Sequence, residues 1–244
     1  MSGVLRREDG GAPWRRAVTW RWSEAVAVFL GAYLLGHLIR TSFFGEEPSP
    51  TAFVAWRATA ELTWIAVLVT WLQVRHPGWV AALGGPTRPW AELRDGAVFG
   101  LILNGVVGLA VVIPVSWLLG AMSREEVTTP NPFPSSLPST GVALGILFAL
   151  IVAPAAEELF FRGILFRALR DHHGPSVGVA GSAAAFGLVH YVPGSAMGII
   201  VVMAATAAMG VGLAIQYERR RNLLAPLAAH VAFNALGLVT LLRS

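Results

Sequence analysis

The chain has 244 residues, of which 55% are hydrophobic and only 13% charged, with a mean hydropathy of +0.62. A soluble domain carries about a quarter charged residues, so this composition excludes an ordinary soluble protein. The absence of cysteine excludes disulfides and thiolate metal sites. The net charge of +4 comes with arginines that lie in short stretches between apolar runs. Topology explains this pattern better than a nucleic-acid partner does, and we expect none.

The apolar runs predict an all-α fold, a polytopic transmembrane helical bundle. Residues 1–22 are polar and arginine-rich and are expected to form a basic cytoplasmic segment. Residues 23–244 are expected to form one membrane-embedded helical domain. Its runs are long enough to approach the roughly 20 residues of a bilayer span. In chain order they lie at about 24–43, 53–74, 94–120, 140–168, 176–191, 196–216 and 223–242.

The fourth run contains Pro154 and could be two pieces, so the predicted count is seven to eight spans. A proline-rich loop is expected at Thr128–Thr140, just before that run. Arginines cluster before the first run, between the second and third, and after the fourth and sixth. This alternation predicts a cytoplasmic N-terminus, and we expect a multi-pass protein of the bacterial inner (plasma) membrane.

Small residues recur four apart in two of the runs and predict close helix packing in lipid. One set lies in the third run and one in the sixth: Gly96, Gly100 and Gly108, and Ala204, Ala208 and Gly212. Asn104 lies deep in the third run, where an interhelical hydrogen bond is expected.

Charged residues within the runs need an explanation, because each costs roughly 2.5–3.5 kcal/mol at the centre of a spanning helix. Arg57 and Glu61 are four residues apart, and we interpret them as a structural ion pair. The remaining candidates are polar residues on three runs: Glu157, Glu158, Arg162, His190, His230 and Asn234.

Helical spacing divides these candidates. Glu158 and Arg162 are in the favourable order for an i, i+4 ion pair. Glu157 is rotated by about 100° from Glu158, so we expect the two acids to serve different partners. Counted from the cytoplasmic ends, Glu157, His190 and His230 lie at depths of roughly 16, 21 and 12 Å. Similar depths predict one shared site.

The residue types suit hydrolysis of an amide by an activated water. A carboxylate such as Glu157 can act as a general base, and histidine can share the water or act as a general acid. The side-chain amide of Asn234 can donate to a developing oxyanion. Glu157, His190 and His230 could also hold one divalent metal such as zinc, since two histidines and a carboxylate form a common set.

Three motifs resemble a known family. The stretches "EELFFRG", "FGLVH" and "HVAFN" follow one another on successive apolar runs. They resemble the E-E-x-x-x-R, F-x-x-x-H and H-x-x-x-N motifs of the CAAX-processing and bacteriocin-immunity (CPBP/Abi) intramembrane proteases. The resemblance covers about 140–242, which it identifies as a protease-like core. It implies that Glu157 activates water together with His190.

The resemblance further implies that His230 and Asn234 hold the oxyanion or complete the polar site, and that Glu158 and Arg162 support the geometry. We therefore expect an intramembrane CAAX-type endopeptidase acting on a peptide or lipidated-peptide substrate within membrane lipid. The alternative is a non-catalytic immunity or adaptor protein that uses the same polar core to bind a partner. A proton-coupled transporter is a third reading, because Glu and His also build proton relays.

Overall fold

The computed structural model describes residues 18–44, 49–124, 127–128 and 139–241, and its secondary structure over these ranges is helical. The helices are α1 (Trp22–Phe43), α2 (Pro50–Arg75), α3 (Trp79–Leu83), α4 (Pro89–Val107), α5 (Ile113–Ser123), α6 (Ser139–Leu147), α7 (Ala153–Glu157), α8 (Arg167–His173), α9 (Pro175–Val189), α10 (Ala196–Arg220) and α11 (Leu224–Leu241). The prediction of an all-α fold is confirmed. Most of the predicted basic segment and of the proline-rich loop lies outside the described residues.

Within the described ranges, five helical stretches are long and apolar enough to cross a membrane: Trp22–Phe43, Ala52–Arg75, Pro89–Ser123, Ala143–His173 and Ala196–Arg220. Two shorter apolar helices, Pro175–Val189 and Leu224–Val239, follow the fourth and the fifth stretch. Each corresponds to one predicted run. The chain is a multi-pass integral membrane protein, while the span count and the cytoplasmic N-terminus stay predictions.

The fourth run is one continuous helix, which we call the site helix (residues 139–173). It passes from α6 through the π-helical segment Phe148–Val152, then α7, the π-helical segment Glu158–Phe166 and α8. The suggestion that Pro154 divides this run was therefore wrong. Proline lacks the backbone N–H that would continue the hydrogen-bond ladder, and the looser π-helical turn just before it accommodates this defect.

Small residues join α4 to α11, as predicted for Gly96 and Gly100. A Cβ atom at Gly96 would lie within 3 Å of Ala225 and Ala228, and one at Gly100 would collide with the backbone of Ala229. The prediction fails for Gly108, which has open space around it. At about 100° per residue, the regular helix that separates it from Gly96 rotates it by about 120° away from the face that meets α11.

The predicted stripe on α10 is a packing surface at Gly212, where a Cβ atom would lie 2.7 Å from Leu103 of α4. The side-chain amide of Asn104 donates to the carbonyl of Phe233 on α11 at 3.2 Å, as expected. These contacts place α4 directly against the two C-terminal helices.

Residues 18–21, within the predicted basic segment, dock onto the bundle. The backbone N–H of Val18 donates to Asp171 Oδ2 at 3.0 Å, and the Trp20 indole donates to the carbonyl of Ile164 at 3.0 Å. Trp20 is almost completely buried. Both contacts hold the start of α1 to the C-terminal half of the site helix.

An aromatic cluster holds α1 and α2 to the middle of the site helix. Trp64 of α2 lies against Phe160 and Phe161, with ring centroids 5.4 and 6.2 Å apart. Phe29 of α1 stacks on Phe160 at 5.0 Å. Large aromatic contacts of this kind fix the register of the packed helices beside the polar residues of the site.

Candidate active site

The predicted ion pair between Glu158 and Arg162 is present in the site helix. Arg162 Nη1 lies 2.9 Å from Glu158 Oε1, and both side chains are no more than 2% exposed. Arg162 also donates to the carbonyl of Gly210 on α10 and stacks over the ring of Phe186, 4.4 Å from its centroid. The buried cation therefore has several partners, as burial of a charge requires.

His230 of α11 lies between the two glutamates. Its Nδ1 is 2.8 Å from Glu158 Oε1, and its Nε2 is 3.5 Å from Glu157 Oε2. The expectation that the two acids serve different partners was therefore wrong. Although Glu157 and Glu158 point about 100° apart, an imidazole has a nitrogen on each of two edges and can face both carboxylates.

The carboxylate of Glu158 determines which ring nitrogen of His230 carries the hydrogen. A carboxylate engaged with Arg162 accepts hydrogen bonds only, so Nδ1 must carry the hydrogen in the 2.8 Å contact. The Nε2 edge is then turned towards Glu157 in a defined tautomer. The buried pair thus orients His230 in the way that a supporting carboxylate orients a catalytic histidine.

Glu157 has the looser contacts of the two acids. Its Oε2 lies 3.5 Å from His230 Nε2 and 3.9 Å from His190 Nε2. Its side chain is 14% exposed and that of His190 is 27% exposed, against 2% for His230. The site therefore opens on the side of Glu157 and His190 and is closed behind His230.

The short helix α9 brings His190 to the site. The helix ends at Val189, so His190 is the residue at its C-terminal end. Its Nδ1 lies 2.7 Å from the carbonyl of Phe186, one turn earlier, which directs Nε2 towards Glu157. Gly187 permits the approach of α10, because a Cβ there would lie 2.8 Å from Ala207.

Phe186 forms an apolar floor under three of the predicted site residues. Its ring centroid is 4.4 Å from that of His190 and 5.8 Å from that of His230, in addition to its contact with Arg162. It is fully buried. An apolar floor lowers the local dielectric and strengthens the electrostatic interactions above it.

Asn234 lies one helical turn beyond His230 but contacts the site helix elsewhere. Its side-chain amide donates to the carbonyl of Ala149 at 3.1 Å. In the π-helical segment Phe148–Val152, the backbone N–H of Ala153 bonds to Phe148 five residues earlier. By the same pattern residue 154 would bond to Ala149, but it is a proline, and Asn234 supplies the missing donor. The predicted role of Asn234 at an oxyanion stays a prediction.

Glu157, His190 and His230 were predicted as a possible set of ligands for one divalent metal ion. Across the described ranges, no group of three His, Asp or Glu side chains is arranged to hold an ion. The second nitrogen of His230 is engaged by Glu158, as in a metal-bound histidine, but it equally suits a histidine that handles protons. In the described part of the chain, Glu157, His190 and His230 are therefore not arranged as a zinc site.

The sequence interpretation missed one acidic neighbour, Glu61 of α2. Its carboxylate is close enough to Glu157 for the two to interact electrostatically. The signal was present, because Glu61 lies well inside an apolar run. The i, i+4 spacing to Arg57 offered a local explanation and concealed the contact between helices.

A known protein family matches the part of the chain that carries the motif side chains of the site, although not Glu61. Residues 139–236 match the family model described as "Type II CAAX prenyl endopeptidase Rce1-like". The match confirms the resemblance to the CPBP/Abi family. No curated protein and no solved structure matches the chain significantly.

Proposed function

We propose that this chain, whose residues 139–236 match the family model of Rce1-like type II CAAX prenyl endopeptidases, is an intramembrane endopeptidase. It hydrolyses a peptide bond with a water activated by Glu157 and histidine. The observation that carries the proposal is the position of Glu157, whose Oε2 faces the Nε2 atoms of His230 at 3.5 Å and of His190 at 3.9 Å. Both separations suit groups that share a water or a substrate atom.

The proposed first step is attack by water. A water bound between Glu157 and His190 transfers a proton to the Glu157 carboxylate while its oxygen bonds to the carbonyl carbon of the scissile amide. The carbonyl electrons move to its oxygen as an oxyanion. When the tetrahedral intermediate collapses, the carbon–nitrogen bond breaks and the proton passes from Glu157 to the leaving amine. Such proton transfer contributes about 10²–10⁴-fold to the rate.

The closed side of the site is proposed to stabilise the oxyanion. The pair Glu158–Arg162 fixes His230 through its Nδ1–H group, so the ring in its imidazolium form, protonated at both nitrogens, can donate from Nε2 to the oxyanion without reorganisation. Asn234 is the second proposed donor, through the amide hydrogen that the carbonyl of Ala149 does not use.

The proposed substrate is a peptide or lipidated peptide that reaches the site from within the membrane. The site lies among apolar helices, and only its Glu157–His190 side is partly exposed. A bacterial inner membrane with the N-terminus in the cytoplasm is the proposed location, from the arginine distribution.

The test is cleavage of quenched fluorescent peptides, with and without a lipid group, by the purified protein in detergent or liposomes. Glu157→Gln and His190→Ala are each expected to lower kcat at least about 100-fold, because the first removes the group that accepts the proton and the second removes a group that holds the attacking water. Glu92→Gln is the matched control, since Glu92 is a buried acid of α4 that lies 3.6 Å from Arg220, outside the site.

Equal rates in the wild type and in Glu157→Gln would contradict the proposal. If that variant also folded normally and kept full biological function in cells, the polar core would serve as a binding core, and the adaptor reading would replace the enzyme.

A further inference from the structure

Glu61 lies in α2, outside the segment that matches the family model. Its side chain is 13% exposed in a helix that is apolar enough to span a membrane. A carboxyl group in such a position is costly unless another group engages it.

The predicted ion pair between Arg57 and Glu61 is present, but as a long contact that gives the Glu61 carboxyl group no hydrogen bond. Arg57 Nη2 lies 4.0 Å from Glu61 Oε1, beyond hydrogen-bond distance, and the arginine side chain is 47% exposed. The guanidinium of Arg57 lies instead near the rings of Trp56 and Phe148, 5.9 Å from each centroid. The second oxygen of Glu61, Oε2, is buried without a hydrogen-bond partner in the described part of the chain.

Helix packing places Glu61 opposite Glu157. Arg57 lies near Phe148, and Trp64 lies on Phe160, so earlier residues of α2 face earlier residues of the site helix and the two run in parallel. Glu61 precedes Trp64 by three residues, as Glu157 precedes Phe160. The register of the Trp64–Phe160 contact therefore puts the two glutamates at the same level of the packed helices, and their electrostatic interaction agrees with this.

Two ionised carboxylates that face each other in an apolar environment repel strongly, whereas a pair that shares one proton does not. The charged groups that act on Glu61 are Arg57 and Glu157. With Arg57 beyond hydrogen-bond distance, the orphaned Oε2 of Glu61 is the atom that can carry this proton and donate it.

We propose that Glu61 is a positioning residue of the site, whose neutral carboxyl group donates a hydrogen bond to Glu157. This inference rests on the proposed function for its catalytic consequence. The hydrogen bond would hold the Glu157 carboxylate facing His190 and His230. It would also make α2 part of the site, although the family model does not include this helix.

The kinetic test compares Glu61→Ala, Glu61→Gln and Arg57→Gln in the peptide-cleavage assay. Glu61→Ala is expected to lower kcat about tenfold or more with KM unchanged within about twofold, because the carboxylate is misplaced while substrate binding is kept. Glu61→Gln keeps a donor and is expected to stay within about threefold of the wild type. Arg57→Gln and the control Glu92→Gln are expected to do the same.

Three kinetic results would overturn the inference. These are wild-type kcat in Glu61→Ala, a loss in Glu61→Gln equal to that in Glu61→Ala, and a loss in Arg57→Gln equal to that in Glu61→Ala. The last would assign Glu61 to the ion pair with Arg57.

A second measurement does not depend on cleavage. The infrared C=O stretching band of a buried protonated carboxyl group is expected in the wild type and in Glu92→Gln and should be lost in Glu61→Gln. Survival of the band in Glu61→Gln would overturn the shared proton. The wild type could cleave no peptide and still show a carboxyl band that is lost in Glu61→Gln. In that case the proposed function would be wrong, but the shared proton between Glu61 and Glu157 would be supported.

Discussion

Two polar clusters of this protein differ in how completely their acids are bonded. The first, the rim network, consists of Arg167, Arg170, Asp171, Glu218 and Arg221. Both oxygens of Asp171 have partners, Oδ1 with Arg170 at 3.0 Å and Oδ2 with Val18 and Arg167 at 3.0 and 3.1 Å. Glu218 binds Arg170 through two hydrogen bonds and Arg221 through a third.

The candidate site is bonded unevenly. Oε1 of Glu158 is within 2.9 Å of both Arg162 and His230, but the closest ionic contacts of Glu157 are 3.5 and 3.9 Å long. The carboxylates of the rim network join helices, and all of their oxygens have partners. A further ligand could bind them only by displacing an existing bond. The carboxylate of Glu157 can accept a proton. Oε2 of Glu158 is also buried without a hydrogen-bond partner in the described part of the chain, so what distinguishes Glu157 is its longer contacts and its greater exposure. Both properties suit the proposed role of Glu157 as the base.

The largest expected effect is a loss of stability when the buried pair Glu158–Arg162 is broken. Arg162→Leu leaves Glu158 buried without its cation and is expected to lower the free energy of unfolding by about 3–5 kcal/mol. Thermal or denaturant unfolding in detergent measures this. The double variant Glu158→Leu, Arg162→Leu should recover much of that stability but no activity, because His230 loses its orienting acceptor. Wild-type stability of Arg162→Leu would contradict the role of this pair.

An intermediate effect is expected from the rim network. Asp171→Asn keeps the shape but removes the charge that receives Arg167, Arg170 and the backbone of Val18, and should cost about 1–3 kcal/mol of unfolding free energy. In the variant that remains folded, kcat should stay within about twofold of the wild type. A fall in kcat without a fall in stability would mean that the contrast between the two clusters is wrong.

The smallest expected effect is a pH dependence of the unfolding free energy that comes from His76, a residue outside both clusters. Burial lowers the pKa of His76 below its usual 6.5, a nearby Glu24 opposes this, and Arg75 adds to it. His76 is in contact with Thr19 and lies against Trp20. Since the unfolded chain takes up this proton more readily, stability should be complete above pH 6.5 and fall as the pH drops below it.

Unfolding midpoints measured on both sides of pH 6.5 test this, with His76→Gln as the variant that should show a weaker dependence. An unchanged dependence in His76→Gln would assign the titration to other groups.

The sequence predicted those features that depend on local spacing. Apolar runs located the helices, and the i, i+4 rule predicted the pair Glu158–Arg162. The interhelical hydrogen bond of Asn104 followed from the need to satisfy a polar group in lipid. The motifs also identified the side chains that meet at His230, because Glu157, Glu158 and His230 lie on apolar runs with few other polar residues.

Features set by helix phase and by tertiary contact could not be predicted in this way. Gly108 lies about 120° around α4 from Gly96 and so is off the face that meets α11. The π-helical segment before Pro154 leaves the carbonyl of Ala149 without a backbone donor, and Asn234 bonds to it. The approach of Glu61 to Glu157 depends on how α2 packs, and a plausible local partner hid it. Sequence spacing also gave no sign that His230 would contact both acids.

The seam between α4 and α11 affects how the segment that matches the family model could be reused. Gly100 leaves no room for a side chain against Ala229, the residue just before His230. The position of His230 is therefore fixed by α4, a helix that lies outside the matched residues 139–236 and carries none of the three motifs. The matched segment is not a portable module. A designer who grafted it onto another set of helices would have to rebuild this glycine surface before the histidine could return to its place.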